Sequence, residues 1–280
     1  MGKSKGSVMM KAVCYIFLLA GLLVILYPLF LTVITAFKTP AESAENFFAL
    51  PSGLNFENFI NVFQKGNAGL SFLNSFKVTV TSVALILITI PMCGYAIARS
   101  MDRSKYYRNI YYVLLIGIFV PFQVIMVPLV MYLGRMNLCS IPGLVIMHVT
   151  LASSQGVFLI VNYVKAVPRD LEEASYIDGC TTFSGYVKVV LPLIKPILAT
   201  IMVLNVLWVW NDFQMPLLLL NRSPEMFTLP LFQYNFTGQY TNDYNMAFAS
   251  FLVSMIPVLV IYAFAQKHII SGLTQGAVKS

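Results

Sequence analysis

The side chains best placed for chemistry in this sequence lie in one short run, Ala166-Val-Pro-Arg-Asp-Leu-Glu-Glu-Ala-Ser-Tyr-Ile-Asp-Gly179. Three of the four residues from Asp170 to Glu173 are acids, a concentration suited to a cationic partner. Elsewhere, Asp212 is the one carboxylate within a long apolar stretch. An acid at mid-bilayer costs about 2.5 to 3.5 kcal/mol and usually faces a cavity or a partner. Other chemistries find no support. Cys14, Cys93, Cys139 and Cys180 are far apart, form no C-x-x-C pair and read as single structural cysteines. His148 and His268 match no ligand spacing, so no metal site is expected. Gly2-Lys3-Ser4 lacks the upstream glycine and the preceding strand of a phosphate-binding loop, so the chain is not expected to hydrolyse a nucleotide. No nucleophile with a base at helical spacing stands out, and an enzyme is not expected.

The elements that position these residues must live in lipid. The chain has 280 residues, of which 58% are hydrophobic and 10% charged, with a mean hydropathy of +0.78. Soluble domains carry roughly 25% charge. A soluble globular protein is thereby excluded, and so is a disordered chain, which needs low hydrophobicity. Spanning hydrocarbon takes about 20 apolar residues as a helix. Six stretches qualify, at about 12–36, 74–98, 109–133, 142–164, 194–219 and 245–266. Each should be helical, because lipid offers no partner for backbone N–H and C=O groups.

The formal net charge of +7 reads first as a topology signal. One set of connections and ends holds Lys3, Lys5, Lys11, Arg99, Arg103, Lys105, Arg108, Lys165, Arg169, Lys188, Lys195, Lys267 and Lys279. The other holds only Lys38, Lys65, Lys77, Arg135 and Arg222. The basic-rich side is expected to be the cytoplasm, with both termini there. The first stretch is too long for a signal peptide and lacks a cleavage site, so it reads as a retained anchor. The fold class is therefore all-α: a polytopic membrane protein with six transmembrane helices, one domain over residues 1–280. Pro91, Pro121, Pro128, Pro192, Pro196 and Pro257 fall in or beside the stretches and are expected to kink them. The outer loops, at about 37–73 and 222–244, are too short for an independent catalytic domain.

Between the fourth and fifth stretches, the acidic run reads as a short helix on the cytoplasmic side. Pro168 suits its first turn, Asp170, Glu172 and Glu173 complement the positive N-terminus, and Gly179 suits a C-terminal cap. Leu171, Ala174 and Asp178 follow an i, i+3, i+7 spacing, so Leu171 and Ala174 form a narrow apolar stripe beside the acids. An interfacial helix normally puts Lys and Arg toward an anionic leaflet, so a protein partner with a basic-rimmed groove fits better.

Glu173-Ala174-Ser175, then Asp178-Gly179, then Leu191-Pro192 resembles the EAA loop of bacterial ABC importer permeases. Further stretches point to the carbohydrate branch and its maltose-type second permease. They are Asn74-Ser75-Phe76, Gly94-Tyr95-Ala96-Ile97-Ala98-Arg99, Pro121-Phe122-Gln123, Trp210-Asn211-Asp212-Phe213 and the tail Gly272–Lys279. The resemblance covers nearly the whole chain. Ser175 stands for the second Ala, Cys180 for a small Ala and Lys267-His268 for the usual Arg-Tyr.

The resemblance implies that the loop at about 166–191 carries a coupling helix seated in a cleft of a separate ATPase subunit. Glu173 would pair with a basic residue there, Leu171 and Ala174 would pack in the cleft, and Ser175, Asp178 and Gly179 would complete the motif and its turn. Glu172 reads as a solvated face. No cofactor is expected on this chain; the partner ATPases, two subunits or a homodimer, would use ATP and Mg. A sister permease would complete a heterodimer, and an extracellular solute-binding protein would deliver a sugar at the bacterial inner membrane. Asp212, Asn211, Asn205, Gln123, Trp208 and Trp210 are the candidates for the sugar path, since aromatic faces and amides bind sugars. Asp212 reads equally as an interfacial acid, and the tryptophans equally as an aromatic belt. The tail reads as reaching the ATPases or as a frayed end. The alternative function is a stand-alone ion-coupled secondary transporter, which calls for charged coupling residues at mid-membrane and repeat symmetry.

Overall fold

The structure is a computed structural model that describes residues 5–239 and 244–277. Lys3 and Lys279 of the charge tally lie outside the described residues, as does the end of the tail. The described residues are helical, without a strand. In chain order they form α1 (Lys5–Ala36), α2 (Pro40–Glu45), α3 (Glu57–Gly66), α4 (Ala68–Ser100), α5 (Lys105–Phe119), α6 (Phe122–Arg135), α7 (Ile141–Lys165) and α8 (Asp170–Ile177). There follow α9 (Thr182–Gly185), a π-helical turn (Tyr186–Val190), α10 (Leu191–Leu193), α11 (Lys195–Trp210) and α12 (Gln214–Leu220). A 3₁₀ turn (Pro224–Met226), α13 (Leu229–Gln239) and α14 (Tyr244–Ala277) complete it.

By length and apolar composition, Met9–Ala36, Ala68–Ser100 and Ile141–Lys165 can each cross a bilayer. Two bent pairs raise the number to five if each is one span, and Tyr244–Val260 is a shorter apolar helix. Residues 9–30 of α1 are exposed along their whole length, as suits a helix solvated by lipid tails.

Two expected spans are not straight. Over 109–133 the chain breaks, and α5 and α6 meet at 109°. The cause is Pro121, which lacks an N–H and pushes Val120 to φ −84°, ψ 113°, outside the helical region. Likewise 194–219 is interrupted. Thr182–Leu193 meets α11 at 75°, where Pro196 has no N–H for the carbonyl of Pro192, and α11 ends at Trp210 before α12 begins. By contrast, helices continue through Pro91, Pro128 and Pro257.

The chain divides into two compact units, residues 1–69 with 232–257 and residues 70–231 with 258–280. In the first unit, Thr39 and Glu42 form a reciprocal capping box at the start of α2. Lys38 is fully buried, and its Nζ donates to the carbonyls of Asn46 (3.0 Å) and Phe47 (2.9 Å). The Nδ2 of Asn245 donates to the carbonyls of Thr35 (2.9 Å) and Lys38 (3.0 Å), holding the start of α14 to the end of α1.

The second unit has a continuous apolar core from α4 (Ile86, Ile90, Ile97), α7 (Val157, Ile160, Val161, Val164), the π-turn (Tyr186, Val190) and α11 (Ile197, Ile201). Helices α4 and α7 interlock through glycines. A Cβ on Gly94 would lie 2.5 Å from Ile160 Cγ2, and one on Gly156 would lie 2.8 Å from Ile90 Cδ1. Small residues allow such approach where lipid supplies no hydrophobic drive between helices. The Asn74-Ser75 pair ties α4 to residues 225–229: Asn74 Nδ2 donates to the carbonyls of Glu225 and Phe227, and Ser75 Oγ accepts from Leu229 N.

Candidate functional site

The acidic run folds as expected into a helix, α8, but Pro168 lies just ahead of it rather than in its first turn. The first turn instead closes on Arg169, whose carbonyl accepts from the amides of Glu172 and Glu173. At the other end Gly179 takes φ +84°, a conformation costly for any residue with a Cβ. The amide of Gly179 donates to Tyr176 O (3.0 Å), and that of Cys180 donates to Ser175 O (2.9 Å). This pair of bonds is a Schellman cap, which satisfies carbonyls the helix end would leave bare.

Helix α8 sorts its side chains onto two faces. Leu171, Glu173, Ala174, Ile177 and Asp178 are exposed, with Ile177 exposed to 88%. Glu172 and Ser175, three residues apart, point inward and are buried. Ser175 Oγ donates to the carbonyl of Glu172, and a Cβ on Gly185 would come within 3.1 Å of it, so Ser175 packs α8 against α9 rather than joining the presented face.

The expectation that Glu172 is solvated is overturned. Its Oε2 accepts from Tyr95 Oη at 2.8 Å, and its Oε1 accepts from Arg99 Nε at 2.8 Å and from Nη2. The same Nη2 donates to Val167 O at 3.0 Å. Desolvating a carboxylate needs such a set of charged and neutral donors. Tyr95 also stacks on Tyr186, with ring centroids 5.0 Å apart. On the surface, Arg169 reaches Asp102 at 3.1 Å. Sequence reading singled out the Gly94–Arg99 stretch only as a motif; the signal for this contact was the shared i, i+3 face of Glu172 and Ser175. Beside these residues is a cavity of about 520 Å3, lined among others by Arg99, Arg103, Tyr107, Glu173 and Phe183.

The candidates for a translocation path are partly brought together. Asp212, in the break between α11 and α12, accepts at Oδ2 from His148 Nε2–H across 3.0 Å. His148 is fully buried on α7, and its Nδ1 has no partner among the described residues. Trp208 stands edge-to-face on the His148 ring, with centroids 5.2 Å apart. Trp208 and Asn205 line a cavity of about 150 Å3 together with Gln155, Leu151, Ala152 and Leu159. Asn205 spends its Nδ2 on the carbonyl of Ile201 and keeps its Oδ1 for another donor. The other candidates lie elsewhere. Trp210 is buried edge-on to Phe72 (5.6 Å), so it belongs to the core and not to an aromatic belt. Asn211 is exposed and bonds back to Leu207 O, and Gln123 is exposed at the start of α6. His148, which spacing alone set aside, is the member that sequence reading missed; a partner 64 residues away leaves no local pattern.

Residues 90–275 match the family described as binding-protein-dependent transport system inner membrane component. The multiple sugar-binding transport system permease protein MsmG of Streptococcus mutans is 44% identical over 266 residues, covering 95% of this chain and 96% of the relative. The probable starch degradation products transport system permease protein AmyC of Thermoanaerobacterium thermosulfurigenes is 34% identical, covering 90% and 91%. Among solved structures, a bacterial ABC transporter involved in import of the acidic polysaccharide alginate superposes with a TM-score of 0.82 at 25% identity, over 95% of this chain and 99% of that one.

Proposed function

Since the chain belongs to the family of binding-protein-dependent transport system inner membrane components, we propose that it is a permease subunit of an ATP-driven importer that passes a sugar across the inner membrane. Support for the sugar comes from its relatives, named for multiple sugars and for starch degradation products. The chain would work with a sister permease, two ATPase subunits that bind ATP and Mg, and an external binding protein. Its six spans would keep both termini in the cytoplasm, so that α8 faces the ATPases.

The observation that carries this reading is the division of α8 into a presented and an anchored face. Leu171, Ala174 and Ile177 offer an apolar strip, Glu173 offers a charge at its edge, and neither is used within the described chain. A cleft with a basic rim would take both, and the capped, anchored helix would pass on a push without fraying. Along the path, Trp208 would offer a ring face and Gln155 and Asn205 would offer amides to sugar hydroxyls. The His148–Asp212 bond would hold the α11–α12 break against α7.

The test is uptake by proteoliposomes holding both permeases, the ATPases and the binding protein. Glu173→Arg and Gly179→Pro should each abolish uptake while the chain still inserts. Normal uptake in both variants would overturn the reading, as would uptake by this chain alone on an ion gradient.

A further inference from the structure

Helix α8 is joined in sequence to α7 through residues 166–169, yet its buried acid is held by α4. We infer that Arg99 and Tyr95 are positioning residues that make α4 the helix first moved by α8, through a two-rung charge clasp. This inference rests on the coupling role proposed above.

The rungs run between two segments distant in sequence. On α4 and the turn that follows it, Arg99 and Asp102 stand three residues apart; on α8 and its N-terminal flank, Glu172 and Arg169 do the same. Each cation faces an acid across the gap, so the pattern is complementary in one register only. The inner rung is deep, with side-chain exposures of 14% for Arg99 and 8% for Glu172, and it is doubled by Tyr95 Oη. The outer rung is exposed and serves register more than strength.

Geometry decides how force would pass. The link 166–169 is non-helical, with a bend at Val167, and could absorb displacement. Arg99 removes that slack, because the nitrogen Nη2 that reaches Glu172 also holds the Val167 carbonyl. A guanidinium in such a fork cannot be replaced by an ammonium without loss of direction. Helix α4 in turn approaches α7 closely at Gly94 and Gly156, so a tilt begun at α8 would pass through α4 to α7.

The experiment measures sugar imported per ATP hydrolysed in the complete transporter. In Glu172→Ala and in Arg99→Ala that ratio should fall about tenfold, as when coupling between two sites is cut. The exchange R99E/E172R should return it to within about threefold of the wild type, the signature of a direct pair. Arg99→Lys should recover less than the exchange. Should the alanine variants fail to assemble with the ATPases, Tyr95→Phe removes one hydrogen bond and no charge, and should lower the ratio about twofold. A wild-type ratio in the assembled variants would overturn the inference. So would a parallel fall of uptake and hydrolysis, or an exchange no better than the single variants. Glu173→Arg separates the two claims: if it stops uptake while Glu172→Ala keeps the ratio, only the clasp is lost.

Discussion

The close approach of α4 and α7 can be tested by adding single methyl groups. A Cβ on Gly94 would sit 2.5 Å from Ile160 Cγ2 and 2.7 Å from Ile160 Cβ; one on Gly156 would sit 2.8 Å from both Cδ1 and Cγ2 of Ile90. Non-bonded carbons rest at about 3.5 to 4.0 Å. Each substitution therefore demands a shift of roughly 1 Å in a packed interface, and overpacking of this kind costs about 1 to 3 kcal/mol. Against this, Gly→Ala within a helix returns about 1 kcal/mol of propensity. Gly94→Ala should fall at the upper end, a net loss of about 2 kcal/mol, because a Cβ cannot rotate away. Gly156→Ala should lose about 1 kcal/mol. The two sites differ in how they can be rescued. Ile90→Ala deletes both atoms that crowd position 156, so G156A/I90A should be more stable than the sum of its parts by about 1 kcal/mol. Ile160→Ala leaves the Cβ in place and should not rescue Gly94→Ala. Reversible unfolding in mixed micelles measures the parent and the six variants. If Gly94→Ala were more stable than the parent by about 1 kcal/mol, helix propensity alone would be acting and the two helices could not be interlocked there.

Two further perturbations have signs given by the structure. Glu42 is held at a pKa of about 2, chiefly by the Ser52 hydroxyl and then by the backbone N–H groups of Thr39 and Ser52. Its contribution to the α2 capping box should be complete above about 4.5 and be lost as pH falls toward 2. Ser52→Ala should move the loss toward 4.5, and an unchanged Glu42 titration by carbon NMR would refute the bond. Asp212→Ala leaves His148 buried with no partner on either ring nitrogen and should cost about 1.5 to 3 kcal/mol, whereas Asp212→Asn keeps an acceptor and should cost less. Equal stability of the two variants would show that the pair does not form.

What could be read from the sequence and what could not divide along a physical line. Hydropathy is a sum over many residues, so the helical class and the apolar stretches within α1, α4 and α7 are legible, as is α8 with its glycine cap. Proline effects are single-residue events, and their outcome depends on what surrounds them. Pro91 and Pro121 read alike, yet α4 continues through Pro91, which is buried in the seam where Ile90 and Gly94 meet α7. At Pro121 the neighbours Phe119 and Val120 are exposed to 83% and 38%, nothing holds the helix straight, and the chain turns by 109°. Pairings across long separations are the least legible of all. Glu172 and Glu173 are the same residue side by side, and only the fold decides that one is anchored and the other presented. It does so through the 100° step between successive residues of a helix. Once Ser175 must pack beneath α8 against Gly185, Glu172 is carried to the inner face and Glu173 away from it, and a cation at the end of α4 becomes the condition for burying that acid. The EAA-like pattern contains the exposed Glu173; the residue that bonds α8 to α4 is its buried neighbour Glu172.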